Sequence, residues 1–266
     1  MVNIVGILNI TSDSFSDGGL FLELVDAVEK ARSLITEGAN WLDIGAEASN
    51  PEGEKISARK EIERLAVILK VLKPEKFRIS IDTYKPEVIK YVLQHGAKMI
   101  NDITGLKNPE SIEILSGSKV PVVIMFARNK KPHAEKTTRS YTTLLDEIKS
   151  FFEERLNTLS KAGIKIDRII LDPGMGFFLG GTPEPSLKVL KNLKELKKCF
   201  NRPLFISTSR KSFIGSVLNR PVQERNYGTL ATEIWAYLQG VDYIRTHDVK
   251  PLNDAVKMLQ AIQDIK

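Results

Sequence analysis

Eight times along this chain a short apolar run gives way to a segment of helical periodicity, and six of the eight stop at a polar or charged residue. The runs are Ile4–Ile10, Trp41–Ile44, Phe77–Ile81, Met99–Ile100, Val120–Met125, Ile169–Leu171, Leu204–Ser207 and Val241–Ile244. They are too uniformly apolar to show one face to water, which is the pattern of strands buried on both faces of a parallel sheet. Parallel neighbours need a crossover between them, and each run is followed by a helical pattern that can supply it. Leu24, Ala27, Val28, Ala31, Leu34 and Ile35, for example, recur at helical spacing and stop at Gly38. Eight such units in 266 residues fit a closed (β/α)8 TIM barrel better than an open doubly wound sheet. No linker-like or low-complexity stretch breaks the series, so residues 1–266 are expected to form one domain.

The sixth run shows how such a chain makes a site. Ile169-Ile170-Leu171 ends abruptly in Asp172-Pro173-Gly174, followed by Met175-Gly176-Phe177-Phe178-Leu179. A carboxylate where a buried strand stops, with proline and glycine forbidding continuation, aims an acid into a cavity. The two glycines let backbone approach a ligand, and the two phenylalanines supply flat apolar walls. In a barrel the strand ends converge, so Asn9, Asp82, Asn101, Asp172, Lys211, Arg245 and His247 are brought to one mouth from six strands. Asp82, Asn101 and Asp172 suit a planar heterocycle carrying N–H donors, and Lys211 suits a ring carbonyl. Arg245, His247 and Asn9 suit a phosphorylated group, with Mg²⁺ as an oxygen-bound companion.

Charge narrows the partners. The formal net charge is +6, which favours anionic ligands. The lysines, as in Lys188, Lys191, Lys194, Lys197 and Lys198, are spread along amphipathic helices, and no basic stripe is interleaved with aromatics. A small anionic substrate is therefore expected, with no nucleic acid and no membrane. The single cysteine, Cys199, excludes an intrachain disulfide framework and points to the cytoplasm. The N-terminus enters a strand pattern at once, so no leader segment is expected. Cys199 and His95 are expected at helix ends, His133 in solvent, and Trp41 and Trp235 between helix and barrel.

The motifs M-V-N-I-V-G-I-L-N-I-T-S-D-S-F-S-D-G-G, S-I-D-T-Y-K-P-E-V, I-N-D-I, L-D-P-G-M-G-F, T-S-R-K-S-F-I-G and R-T-H-D-V resemble, in order and spacing, those of the dihydropteroate synthases. The resemblance runs from Ile4 to Val249. It implies a (β/α)8 barrel that condenses 6-hydroxymethyl-7,8-dihydropterin diphosphate with p-aminobenzoate, releasing pyrophosphate. Carried over residue by residue, it implies that Asp82, Asn101, Asp172 and Lys211 hold the pterin. Asn9 would bind Mg²⁺ with the diphosphate, while Arg245 and His247 grip the phosphates. Ser49, Phe177, Phe178 and Ser209 would line the p-aminobenzoate pocket. A first loop, Thr11 to Gly19 with Asp17, and a second, Ala46 to Gly53, would close over the reacting centre; Asp17, Lys211 and Arg245 are the expected catalytic residues. The resemblance also suggests a homodimer. A methyltransferase acting on methyltetrahydrofolate would share the pterin-holding residues but has no use for Arg245 and His247 as a diphosphate grip. A catalytically silent pterin-binding barrel would not need the polar set intact.

Three places depart from the common pattern of the family. The second loop reads Ala-Ser-Asn-Pro, with Ser49 and Asn50 in place of the usual Thr and Arg; Phe178 and Leu179 stand for Gly and Lys; and Phe126 stands for His. The first two are similar to the sulfonamide-resistant branch of the family, and extra aromatic bulk at Phe178 is expected to exclude sulfonamides.

Overall fold

A computed structural model describes residues 2–10, 20–48, 55–128 and 140–265, with no side chain described at 20–23. The strands are β1 (Asn3–Asn9), β2 (Trp41–Gly45), β3 (Ile79–Asp82), β4 (Met99–Asp102), β5 (Val122–Met125), β6 (Ile169–Asp172), β7 (Phe205–Ile206) and β8 (Tyr243–Thr246). All pair in parallel, in the order β6-β5-β4-β3-β2-β1-β8-β7. The ring closes where β6 meets the start of the seventh strand, through a parallel bridge between Leu171 and Leu204 and a 2.9 Å bond from Leu171 N to Pro203 O. The eight-stranded barrel expected from the alternation is thus present, with its helices outside.

Those helices are α1 (Leu20–Thr36), α2 (Ala58–Leu72), α3 (Pro86–Gln94), α4 (Pro109–Ser116), α5 (Leu144–Lys161), α6 (Glu184–Lys191), α7 (Leu193–Phe200), α8 (Ser212–Leu218), α9 (Asn226–Leu238) and α10 (Val249–Gln263). The single helix expected over 185–198 is two, broken at Asn192. The Asn192 amide donates to Lys188 O at 2.7 Å, a local bond of the kind that competes with helix continuation. The α8 turn was hidden by its shortness. His95 caps α3, as expected, and stacks on Tyr91 at 3.9 Å.

Burial sorts the apolar side chains by strand parity. Outward positions join the helices in the main core, as with Ile4, Leu42, Ile81, Ile100, Ile124, Leu171 and Ile244. Inward positions Val5, Trp41, Met99, Val123, Ile170 and Phe205 pack with one another inside the barrel. Trp41 is therefore a barrel-interior residue, contrary to its expected place between helix and barrel. Trp235 lies farther out than expected: half-exposed on α9, it donates to Leu190 O at 2.9 Å. Cys199, at the end of α7, is exposed. Phe126 follows the same parity. It turns outward, meeting Phe151 edge-on at 5.3 Å, so the departure from the family's His falls in the helix-facing core and not in the mouth.

Candidate active site

The strand register carries polar residues to a common level. Asn9 pairs with Gly45, Gly45 with Asp82, and Asp82 with Asn101, so a single row crosses four strands at their C-terminal ends. A β-carbon on Gly45 would sit in ordinary contact with Asp82 Cβ at 3.6 Å and Asn9 Oδ1 at 3.7 Å, so this glycine lies directly between the two side chains. Across the barrel, Met125 pairs with Asp172. Arg245 starts lower, paired with Val5, and its long side chain rises to the polar level.

There Arg245 is locked between carboxylates. Its Nε donates to Asp43 Oδ2 at 2.6 Å and its Nη2 to Asp82 Oδ2 at 3.1 Å. Burial pushes the Asp82 carboxyl up to about 7; Arg245 opposes the shift, and the neighbouring Asp43 adds to it. Asp172 is buried, accepts the Gly174 N–H at 2.8 Å and is pushed up to about 6 by burial, against the pull of Lys211. Burial also lowers Lys211, to about 8, against the attraction of Asp172. Its Nζ lies 5.1 Å from the centre of the Phe178 ring and within 3.4 Å of Met175 O.

The backbone after β6 and β7 is shaped for this. Gly174 and Gly176 have φ of 74° and 66°; a β-carbon on Gly174 would collide with Phe126 O, and one on Gly176 would press on Lys211 Cδ at 3.2 Å. Arg210, a non-glycine at φ 58°, is held by its N–H to Thr229 Oγ1 at 2.9 Å and by a guanidinium pair with Asp248. Ser209, Arg210 and Lys211, on either side of this bend, all line the cavity. Ser209 Oγ accepts from His247 N at 3.2 Å and lies 2.8 Å from His247 Nδ1. Burial, then Arg245 and Arg210, bring His247 down to about 4. The ring is neutral near pH 7.

The result is a cavity of about 520 Å³ lined by Asn9, Asp82, Phe177, Phe178, Ser209, Lys211, Arg245 and His247, among others. Asn101 and Asp172 are 3% and 4% exposed and lie beneath its wall. Of the expected site residues, Asp17 and Ser49 lie outside the described residues, as do Asn50 and His133.

Two features escaped the reading of the sequence. One is Asp43, fully buried in β2, whose Oδ2 also accepts Asn101 Nδ2 at 3.1 Å. Its signal was a charge at inward parity, between Trp41 and Gly45, inside an apolar run. The other is a cluster at the base of the second loop, where Lys85 Nζ meets Glu61 Oε2 at 2.6 Å and Glu47 Oε2 at 2.5 Å, and Tyr84 donates to Glu47 Oε1 at 2.8 Å. No pattern in the sequence links these residues.

A (β/α)8 barrel with carboxylates, an amide and a lysine at one mouth, facing basic and hydroxyl groups across the same cavity, defines a class of enzyme that takes a polar heterocycle with an anionic tail. A family of pterin binding enzymes matches residues 5–247. The chain is 44% identical over 262 residues to a type-3 dihydropteroate synthase of Escherichia coli, covering 98% of this chain and 100% of that one. It is 40% identical over 261 residues to a type-2 dihydropteroate synthase of the same organism, covering 98% and 96%. A Xanthomonas albilineans dihydropteroate synthase solved with 4-aminobenzoic acid superposes with a TM-score of 0.89 at 31% identity, covering 100% of this chain and 94% of that one. The chain belongs to the dihydropteroate synthases, within the pterin-binding enzymes.

Proposed function

We infer that the protein condenses 6-hydroxymethyl-7,8-dihydropterin diphosphate with p-aminobenzoate to give 7,8-dihydropteroate and pyrophosphate, with residues 1–266 acting as one catalytic unit. The observation that carries the reading is the convergence of Asp82, Asn101, Asp172 and Lys211 at the C-terminal mouth of the barrel, with Arg245, Ser209 and His247 facing the same cavity. Asp82 and Asp172 accept N–H donors of the pterin ring, and Lys211 donates to its carbonyl. In the reaction the bond from the pterin methylene carbon to the diphosphate oxygen breaks, a bond to the amine nitrogen forms, and that nitrogen loses a proton. Departure of pyrophosphate leads. Arg245 and the neutral His247 meet the charge that grows on the leaving oxygens, and the buried wall limits water at the electron-deficient carbon.

Among the described residues no group of three or more His, Cys, Asp or Glu could hold a metal ion. That suits Mg²⁺ held chiefly by substrate, since this ion keeps its waters and takes phosphate oxygens with one or two protein ligands. Asn9, exposed at the end of β1 and lining the cavity, is the residue that would hold it. Bound there, Mg²⁺ would neutralise charge on the diphosphate.

Three finer readings go with this. Phe178 is buried against Ile103, Met125 and Phe177 and packs on Lys211, so its bulk is fixed beside the p-aminobenzoate pocket; sulfonamides are expected to bind weakly. The protein acts as a homodimer, and exposed Tyr227, Trp235 and Leu238 of α9 are apolar surface that such an association would cover. A cytoplasmic setting fits the single cysteine. The experiment is pyrophosphate release with the pterin diphosphate, p-aminobenzoate and Mg²⁺, each omitted in turn, and then with a sulfonamide titrated in. Turnover that needs all three supports the synthase. Pterin binding without turnover would favour the silent barrel.

A further inference from the structure

Asp43 is not among the residues lining the substrate cavity and has no place among the substrate contacts above, yet it is the most buried ionisable group at the polar level, with 0% exposure. A single oxygen, Oδ2, accepts Arg245 Nε at 2.6 Å and Asn101 Nδ2 at 3.1 Å, tying β8 and β4 together through β2. This arrangement decides more than stability. A carboxylate only accepts, so the Asn101 amide atom facing it must be the nitrogen, and the amide cannot turn over without setting two oxygens against each other. Asn101 Oδ1 is left as the atom the side chain can offer, and it has no protein partner among the described residues. The Arg245 guanidinium is fixed in the same way, its Nε by Asp43 and its Nη2 by Asp82.

We propose that Asp43 is a positioning residue for the pterin: from one buried oxygen it sets the plane of Arg245 and the facing of the Asn101 amide, so that Asn101 presents an acceptor to an N–H of the heterocycle. The proposal rests on the dihydropteroate synthase reading. A flipped Asn101 would offer its NH₂ to a ring N–H, donor against donor. The p-aminobenzoate pocket, formed by Phe177, Phe178 and Ser209 in the segments after β6 and β7, is outside the reach of this device.

The test uses two variants that alter the anchor in different ways. Asp43→Asn keeps the shape but removes the charge and supplies a donor that competes with Asn101 Nδ2. Asp43→Glu keeps the charge but displaces the oxygen by one methylene. Positioning predicts that both raise the KM for the pterin diphosphate by at least about tenfold, as expected when one partner of a buried, hydrogen-bonded charge pair is altered. The KM for p-aminobenzoate should stay within about twofold, and unfolding should remain cooperative. A role limited to neutralising Arg245 would leave Asp43→Glu with a pterin KM close to that of the unaltered protein, and that result overturns the proposal. So would a parallel loss of both KM values and of thermal stability. Should Asp43→Asn fail to fold, Asp43→Glu carries the test by itself. Failure of the unaltered protein to use the pterin diphosphate would count against the function proposed above, whereas an active protein with an indifferent Asp43→Glu would count against Asp43 alone.

Discussion

The barrel interior has two storeys built on the same inward parity. In the lower one, Val5, Trp41, Met99, Val123, Ile170 and Phe205 fill the space as a packed apolar plug. One step further along the same strands, the upper storey puts Ile7, Asp43, Asn101, Met125, Asp172 and Ser207. Ile170 and Asp172 are two residues apart, point the same way and are almost equally buried, at 3% and 4%. The lower storey gains from burial by the hydrophobic effect. The upper storey is opposed by it: Asp82, Asp172 and Lys211 are all shifted toward their uncharged forms, with burial as the first cause. Stability and binding are therefore separated by one turn of the pleat, and each can be disturbed with the other left in place.

The largest effect is expected below. Phe205→Ala removes a fully buried ring from the plug and should cost about 3–5 kcal/mol in urea unfolding. The KM of whatever protein remains folded should change little. In the upper storey the effect moves from stability to function. Asp172→Asn should lower kcat/KM for the pterin diphosphate by about a hundredfold, since a carboxylate acceptor becomes an amide. Its melting temperature at pH 7.5 should equal or exceed that of the unaltered protein. The sign follows from linkage: the Asp172 value rises on folding from 3.8 to about 6, so ionisation disfavours the folded state across that window, and an amide is free of this cost.

The pH profile sharpens the contrast without a substitution. Activity on the pterin diphosphate should rise with pH between about 6 and about 7, as the Asp172 and Asp82 acceptors ionise, and should fall above about 8, as Lys211 loses its proton. The two carboxylates share Arg245 and Lys211 as neighbours, so the acid limb belongs to the pair rather than to either residue. By the same linkage, these carboxylates should lower the urea midpoint of Phe205→Ala over the pH range in which they raise activity. The smallest effect is expected at the rim, where Phe178→Gly should lower the sulfonamide concentration for half-inhibition by about tenfold, with the p-aminobenzoate KM much less changed. Equal shifts in both would remove the argument for selective exclusion by Phe178.

The alternation of apolar runs and helical periodicity made the barrel legible, because closure needs nothing beyond eight buried parallel strands and their crossovers. Residues at strand ends were legible for the same reason: Asp82, Asn101, Asp172 and Arg245 each terminate an apolar run, and the register brings Asp82 and Asn101 level. Asp43 was not, since it sits inside its run and its meaning depends on Arg245, 202 residues away along the chain. Trp41 was misplaced because an aromatic fits equally well inside a barrel or outside it, and only parity with Val5 and Phe205 decides. The Lys85–Glu47–Glu61 cluster joins three elements through side chains alone, and local sequence carries no trace of it.

The most direct measurement is made on one protein, Asp82→Asn/Asp172→Asn, by calorimetric titration with the pterin diphosphate beside a thermal melt. The two-storey account predicts that binding falls by at least about a hundredfold while the melting temperature stays level or rises. Binding retained at the unaltered affinity, or lost only together with the fold, would contradict it.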